Sequence, residues 1–283
     1  MDIAVGLPTT VPNTDGRELI EYARTADQLG FSTLAVLDRF VYDSYDNIVA
    51  LAAAAAVTSR IRLATTVLLA AYRPSVAELA KQLASVDRLS QGRLAVGVAA
   101  GGREDDFEVN GTGYHDRGRR LDRMIVELGR IWSGADAGGV GPRPTRGSIP
   151  IWVGGHSPAA LARAARYGEA WISPGGSAAG FPELVRKARA AFAENGRTES
   201  PRLVSMAYVA FGDRRDAAVR YMREYYSHVG AKAEFLANAV ISDGAQLKDT
   251  IDGFRAAGCD ELILHPCTGD SEQLGLLADV ALA

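Results

Sequence analysis

Short apolar runs rich in β-branched residues alternate with longer amphipathic runs along the whole chain, and this alternation constrains the fold more than any other feature. It is the pattern of βα units: a parallel strand is buried on both faces and needs a crossover helix to return the chain. Eight strand candidates cover residues 3–7, 33–37, 61–69, 93–99, 151–153, 170–173, 202–211 and 261–265. A chain of 283 residues has room for eight such units and none left for a second domain. The expected fold is therefore α/β, a closed (β/α)8 TIM barrel with irregular insertions, forming one domain over residues 1–283.

Helix ends are marked in the sequence. Asp15 and Glu18 have capping-box spacing and Gly30 closes the segment they open, with Gly92, Gly168, Gly196 and Gly258 as similar stops. A helix over 117–132 places Leu121, Ile125, Leu128 and Trp132 on one face and leaves Arg117, Arg119, Arg120 and Arg123 for a solvated face. Residues 134–149 form a Gly/Pro-rich connection, and residues 213–257 hold more than one helix, with a break around Ser242, Asp243 and Gly244.

Hydrophobic residues make up 47% of the chain and charged ones 23%, with a formal net charge of -3, so no overall field draws it to nucleic acid or an anionic membrane. A small uncharged or amphiphilic partner suits that balance. The opening MDIAVGLPTT lacks a basic region followed by a long apolar one, and the longest apolar run, residues 48–57, is about half a membrane span. A cytoplasmic protein is expected. Cys259 and Cys267 are the only cysteines and read as reduced structural thiols.

In a barrel of this kind the chemistry sits at the C-terminal ends of the strands. Asp38, Arg39 and Phe40, residues 69–73, residues 100–105, and residues 154–157 and 174–177 lie at such ends, as do His265 and Pro266. The fifth exit reads PIWVGGHSPAALARAARYG, residues 150–168. Ser157 as N-cap and Pro158 as first helical residue are explained by capping alone. Gly154 and Gly155 suit either a plain turn or a phosphate seat at a helix N-terminus. SPGGS, 173–177, is a second glycine-rich exit beside it.

Other chemistries lack their signatures. There is no G-x-S-x-G, no H-E-x-x-H and no Cys/His cluster, so a hydrolase elbow and a zinc site are not expected, and GVAAGG at 97–102 is not a dinucleotide fingerprint. His156 and His265 stand at strand exits, where acid/base or hydrogen-bonding work is open to them alongside structural roles, whereas His115 falls in a loop and His228 in a helical segment. Asp38 suits a polar cofactor edge or a pairing with Arg39, and Glu104, Asp105 and Asp106 read as a solvated helix start. An aldolase or isomerase using the same phosphate loop would need a Schiff-base lysine or a metal set at strand ends. Lys81, Lys187, Lys232 and Lys248 all fall in helical segments.

The stretches LATTVLLAAYRPSVAELAKQLASVDRLSQGRLAVGVAAGGREDDF and IPIWVGGHSPAALARAARYGEAWI, with VLDRF at 36–40 and AGCDELILHP near the end, resemble the bacterial luciferase-like superfamily of flavin- and F420-dependent oxidoreductases. The resemblance implies a barrel whose mouth holds the ring of FMN or coenzyme F420 against a bulge in strand three, with a non-proline cis peptide at Thr66–Val67. It places the phosphate at Gly154, Gly155, His156 and Ser157, with Pro174, Gly175 and Gly176 beside it. Asp38 and Arg39 then face the ring or the substrate, and His265, Tyr72 and Arg103 are candidates for substrate contact or proton transfer. Four departures bear on the cofactor. Ala100 stands where luciferase has an arginine for the flavin phosphate, with Arg103 as its nearest substitute; where an F420-dependent sugar phosphate dehydrogenase has a histidine, an acidic residue and a phosphate-binding lysine, this chain has Arg39, Gly102 with Glu104 close by, and Ser177, so neither subfamily's catalytic set carries over. The activity implied is oxygenation of a small organic substrate with FMN reduced by a separate reductase. F420-dependent hydride transfer and a non-catalytic flavin-binding or partner subunit are the alternatives, and a homodimer is the expected assembly.

Overall fold

Eight parallel strands pair in chain order and close into a barrel. They are β1 (Asp2–Gly6), β2 (Thr33–Val36), β3 (Arg62–Leu68), β4 (Leu94–Val98), β5 (Ile151–Gly154), β6 (Ala170–Ile172), β7 (Arg202–Val209) and β8 (Glu261–Pro266). The computed structural model describes residues 1–135 and 138–283. Each strand lies within one or two residues of its expected place, the usual uncertainty of an element's end. Ring closure is explicit in the register, where Asp2 to Val5 of β1 pair with Glu261 to Leu264 of β8.

The strands are joined through α1 (Gly16–Leu29), α2 (Asn47–Val57), α3 (Val76–Leu89), α4 (Glu104–Val109), α5 (Arg117–Ser133), α6 (Pro158–Tyr167), α7 (Phe181–Glu194), α8 (Arg215–Tyr225), α9 (Lys232–Asn238) and α10 (Gly244–Ala256), and α11 (Glu272–Ala281) ends the chain. The capping box of Asp15 and Glu18 forms, and Gly30 ends α1 in the left-handed region at φ 90°. Between β7 and β8 the extra helices α8 and α9 lie over the barrel mouth, and Asp243 caps α10 after the expected break. Among the described residues no helix is long and apolar enough to cross a membrane.

Two apolar layers hold the barrel. Inside it, Ala4, Ala35, Ala64, Ala95 and Ala170 supply small side chains while Trp152, Ile172, Val204, Met206 and Ile263 fill the remaining volume. Outside it, the helices pack leucine, alanine and aromatic side chains on the other strand face. The closed end is tied by Glu261, which is fully buried and accepts from Ser32 Oγ, Thr33 Oγ1, Arg62 and Arg202. Such a carboxylate is tolerated inside only because it is paired on every side. Cys259 and Cys267 are free and buried, and burial pushes the Cys259 thiol up to about 12.

Strand β3 departs from the regular ladder. Its register with β4 shifts between Thr65 and Leu68, and the Thr66–Val67 peptide is cis. The arginines of α5 also differ from expectation. Arg119 and Arg123 are exposed, but half-buried Arg117 donates to the Gly101 carbonyl at 2.9 Å and Arg120 to the Arg73 carbonyl at 3.0 Å. They are recruited because the loops after β3 and β4 carry backbone carbonyls that the sheet no longer satisfies.

Gly97 in β4 is the point of closest approach to this irregular strand. A Cβ there would overlap the Thr65 carbonyl oxygen and lie 2.8 Å from Ile172 Cδ1. Gly97→Ala is expected to cost about 1–3 kcal/mol, read as a lower urea midpoint with an unchanged denaturant slope.

Candidate functional site

The C-terminal mouth of the barrel holds a cavity of about 330 Å³, the volume range of small-molecule sites. One wall is the irregular part of β3, Thr66 and Val67, and another is Met206, Ala207 and Tyr208 of β7. The roof is the β7–β8 insertion, with Tyr225, Tyr226, His228, Phe235 and Leu236. Most of this surface is apolar, which suits a planar ring or hydrocarbon body.

Asp38 fixes the shape of the β2 exit. Its Oδ2 accepts the Leu69 N–H at 2.8 Å and its Oδ1 the Tyr72 hydroxyl at 2.9 Å, with Arg73 3.8 Å away. Burial raises its carboxyl above the ordinary range against the pull of Arg73 and the two hydrogen bonds. With both oxygens engaged, Asp38 clamps the β2 exit to the β3 exit and leaves the neighbouring Arg39 at the cavity. Tyr72 is fully buried and its hydroxyl is spent on Asp38; burial and that carboxylate push its ionisation far up.

Arg39, Arg103 and His228 line the same cavity from three different segments. Arg39 donates to the Tyr225 carbonyl at 3.0 Å, and its guanidinium carbon lies 3.9 Å from the Tyr42 ring centre and 5.3 Å from that of Tyr225. Burial and nearby Arg103 lower its pKa. Arg103 pairs with Asp105 and lies 3.5 Å from Asp106. Asp106, expected on a solvated helix start, is fully buried and accepts the Val41 N–H at 2.8 Å, because α4 turns it inward toward that arginine. His228 lies in a short 3-10 turn after α8, stacked on Tyr226, and partial burial with Arg103 and Arg39 lowers its pKa.

The glycine exits do two different things. The Gly155 N–H is taken by the Ile172 carbonyl at 3.2 Å and its carbonyl by the Trp171 indole at 2.7 Å, so β5–β6 pairing runs on through it. Gly154 is needed for close approach, since a Cβ there would lie 2.8 Å from Val67 Cγ1. The glycine pair thus backs the wall around Val67, and the donors left for an anion are those of the α6 first turn beyond it. Ser157 caps that turn by accepting the Ala160 N–H, and both Ser157 and His156 are exposed. At the β6 exit Pro174, Gly175 and Gly176 line the cavity, and no atom lies within 4 Å of a Cβ placed on Gly176.

Of the residues singled out in the sequence, Asp38, Arg39, Thr66, Val67, Arg103, Pro174, Gly175 and Gly176 come together around the cavity. Ala100, Gly154, Gly155, His156 and Ser157 stand outside its lining, at the adjoining β4 and β5 exits. His265 lies beneath the floor. It is 2% exposed, with Nε2 3.4 Å from Thr66 Oγ1 and its ring against Tyr208. Burial brings its pKa down to about 3, so it is neutral there. The roof is the part that sequence reasoning misses. Tyr225, Tyr226 and His228 are consecutive or nearly so in RYMREYYSHVG, 220–230, and that aromatic cluster beside a helix break is the one available signal.

Comparison with known proteins gives a consistent picture. A family described as luciferase-like monooxygenase matches residues 1–259. An uncharacterised protein of Mycobacterium tuberculosis is 30% identical over 218 residues, 65% of this chain and 75% of its own. The FMNH(2)-dependent dimethylsulfone monooxygenase of Pseudomonas fluorescens is 33% identical over 154 residues, 50% of this chain and 42% of its own. Among solved structures, an F420-dependent secondary alcohol dehydrogenase superposes with a TM-score of 0.83 at 16% identity over 99% of this chain and 98% of its own, a likeness of fold.

The buried His265 makes stability depend on pH. Its folded pKa is depressed from 6.5 to about 3, so the unfolded chain takes up a proton that the folded state refuses. Its contribution is present above pH 6.5 and is lost as pH falls toward about 3, with a limiting slope of about 1.4 kcal/mol per pH unit. His265→Asn is expected to show a flatter loss of stability than the parent between these pH values, measured by urea unfolding in a pH series.

Proposed function

The chain belongs to the luciferase-like monooxygenase family, and from that premise we propose an oxidoreductase that binds FMN, supplied reduced by a separate reductase, and oxygenates a small organic substrate. The observation that carries this reading is the cavity itself. It combines apolar walls, an irregular strand as backing, and glycines facing open space at Gly102 and Gly176. A planar ring fits such a seat, and the first turn of α6 offers backbone donors to a phosphate nearby.

When bound, the flavin would supply the electrons and the reaction with oxygen, chemistry for which side chains have no equivalent. The chain's part is to hold, orient and shield. Val67 and Met206 would fix the ring's faces, while the aromatic roof limits access of water. Asp38 acts as a positioning residue because its clamp sets where Arg39 points. His228, with its pKa lowered, is neutral at pH 7 and able to accept a proton at a ring nitrogen.

A second reading places F420 in the same seat with hydride transfer to the substrate. Half-buried Ala100 motivates it, since the luciferase-type arginine for a flavin phosphate has no counterpart there and Arg103 is engaged by Asp105 and Asp106, while F420, a phosphate carrier too, would rely on the same α6 first turn.

Titration of the purified protein with FMN and with F420, in oxidised and reduced forms, tests the proposal. Spectral change with reduced FMN, followed by oxygen uptake in the presence of a substrate panel, is the expected result. Binding of F420 alone moves the assignment to the second reading, and binding without turnover points to a non-catalytic subunit. Gly176→Phe is expected to weaken cofactor binding by about tenfold or more with little change in melting temperature. Gly155 is the poorer probe, because its φ of 123° and the Ala160 Cβ 2.9 Å from a substituent confound binding with folding.

A further inference from the structure

Among the described residues Arg39 has no carboxylate at ion-pair distance, and Asp106, paired with Arg103, acts on it only from farther off. The Arg39 guanidinium makes one hydrogen bond among them, to the Tyr225 carbonyl, and its Nε is buried without a partner. The rings of Tyr42 and Tyr225 lie against the guanidinium, which accounts for its faces but not for the donors in its plane. A second guanidinium, that of Arg103, stands near enough to oppose its charge, and the His228 imidazole faces the same space. Three nitrogen-bearing side chains from β2's exit, β4's exit and the roof thus converge on one end of an otherwise apolar cavity. The Arg103 charge is met by Asp105 and Asp106, so what this end of the cavity leaves open is the in-plane donors of Arg39, which an oxyanion would satisfy.

We propose that the substrate is a small organic anion, with its carboxylate or sulfonate held by Arg39 and His228 beside Arg103 and its apolar body against Leu37, Leu69 and Tyr226. The net charge of the chain gave no reason to expect this, because net charge governs long-range steering while this recognition is local. The planar fork of arginine matches such a group in two parallel hydrogen bonds. Assigning the oxyanion to a substrate rests on the cofactor reading above, in which the phosphate sits by the β5 and β6 exits. Arg39 follows β2, three strands round the barrel from β5.

Calorimetric titration of the full chain with hexanoate, hexanesulfonate and hexanol, in parallel with FMN and F420, tests the proposal. Both anions are expected to bind about tenfold or more tightly than hexanol. Arg39→Gln is expected to lose about tenfold to a hundredfold in affinity for the anions while its affinity for hexanol and for the cofactors shifts by less than about threefold. Equal binding of hexanol and hexanoate overturns the proposal, as does an Arg39→Gln protein that keeps its anion affinity. Loss of FMN or F420 binding in that variant, with hexanoate unaffected, gives the pole to the cofactor and overturns the substrate assignment. Should Arg39→Gln fail to fold by circular dichroism, His228→Leu, which removes the donor, decides the matter: weaker anion binding supports the proposal and unchanged binding overturns it. Failure of both cofactors to bind, with the anion preference and its loss on substitution intact, sinks the cofactor reading while the oxyanion site stands.

Discussion

The mouth of this barrel depends on close approaches that three strands permit by lacking side chains. Gly97 lets the Thr65 carbonyl reach β4, Gly154 lets Val67 press on β5, and Gly6 leaves the space that His265 Nδ1 fills, where a Cβ would overlap it. Each contact is with β3 or with the floor beneath it. Interiors pack too densely to absorb an extra methyl at such distances. The irregular strand, the cavity wall it forms and the buried imidazole below are therefore one packing solution.

Around that core the charged groups divide by depth. Glu261 at the closed end, Asp38 behind the mouth and Asp106 under α4 are buried and directed at backbone N–H groups, hydroxyls or arginines of the chain. They hold loops in place. Arg39 has only a carbonyl and two aromatic rings. Arg117 and Arg120 also meet carbonyls and no carboxylate, but among the described residues Arg39 does so while lining the cavity, and it is that place which marks a binding role rather than a structural one.

The barrel itself is legible in the sequence because short apolar runs rich in β-branched residues alternate with longer helical runs along the chain; one run alone says little, as the apolar stretch 48–57 is a helix. The capping residues Asp15 and Ser157 are legible for a local reason. What the sequence hides are contacts between distant segments. Asp106 reads as surface beside Glu104 and Asp105, and only the turn of α4 buries it. Gly154 and Gly155 suit a turn or a phosphate seat equally in the sequence, which does not reveal that sheet pairing takes the N–H of Gly155 or that Gly154 gives room to Val67. His228 reads as an ordinary helical residue, since nothing local to 227–229 reveals that the roof folds back over β2 and β4.

That roof meets the barrel through side-chain links of Tyr221 with Thr10, Tyr226 with Tyr208 and Arg214 with Asp270, through the Tyr225 carbonyl with Arg39, and through backbone pairing of Ile241 beside Val209. It contributes no strand to the closed ring, yet it supplies much of the surface a ligand would touch. The two properties place fitness for folding and fitness for a ligand on different stretches of chain. A substitution on the cavity side of residues 212–243 that spares its buried cluster of Tyr221, Met222 and Tyr225 therefore alters the ligand's surroundings and leaves the closure of the ring untouched.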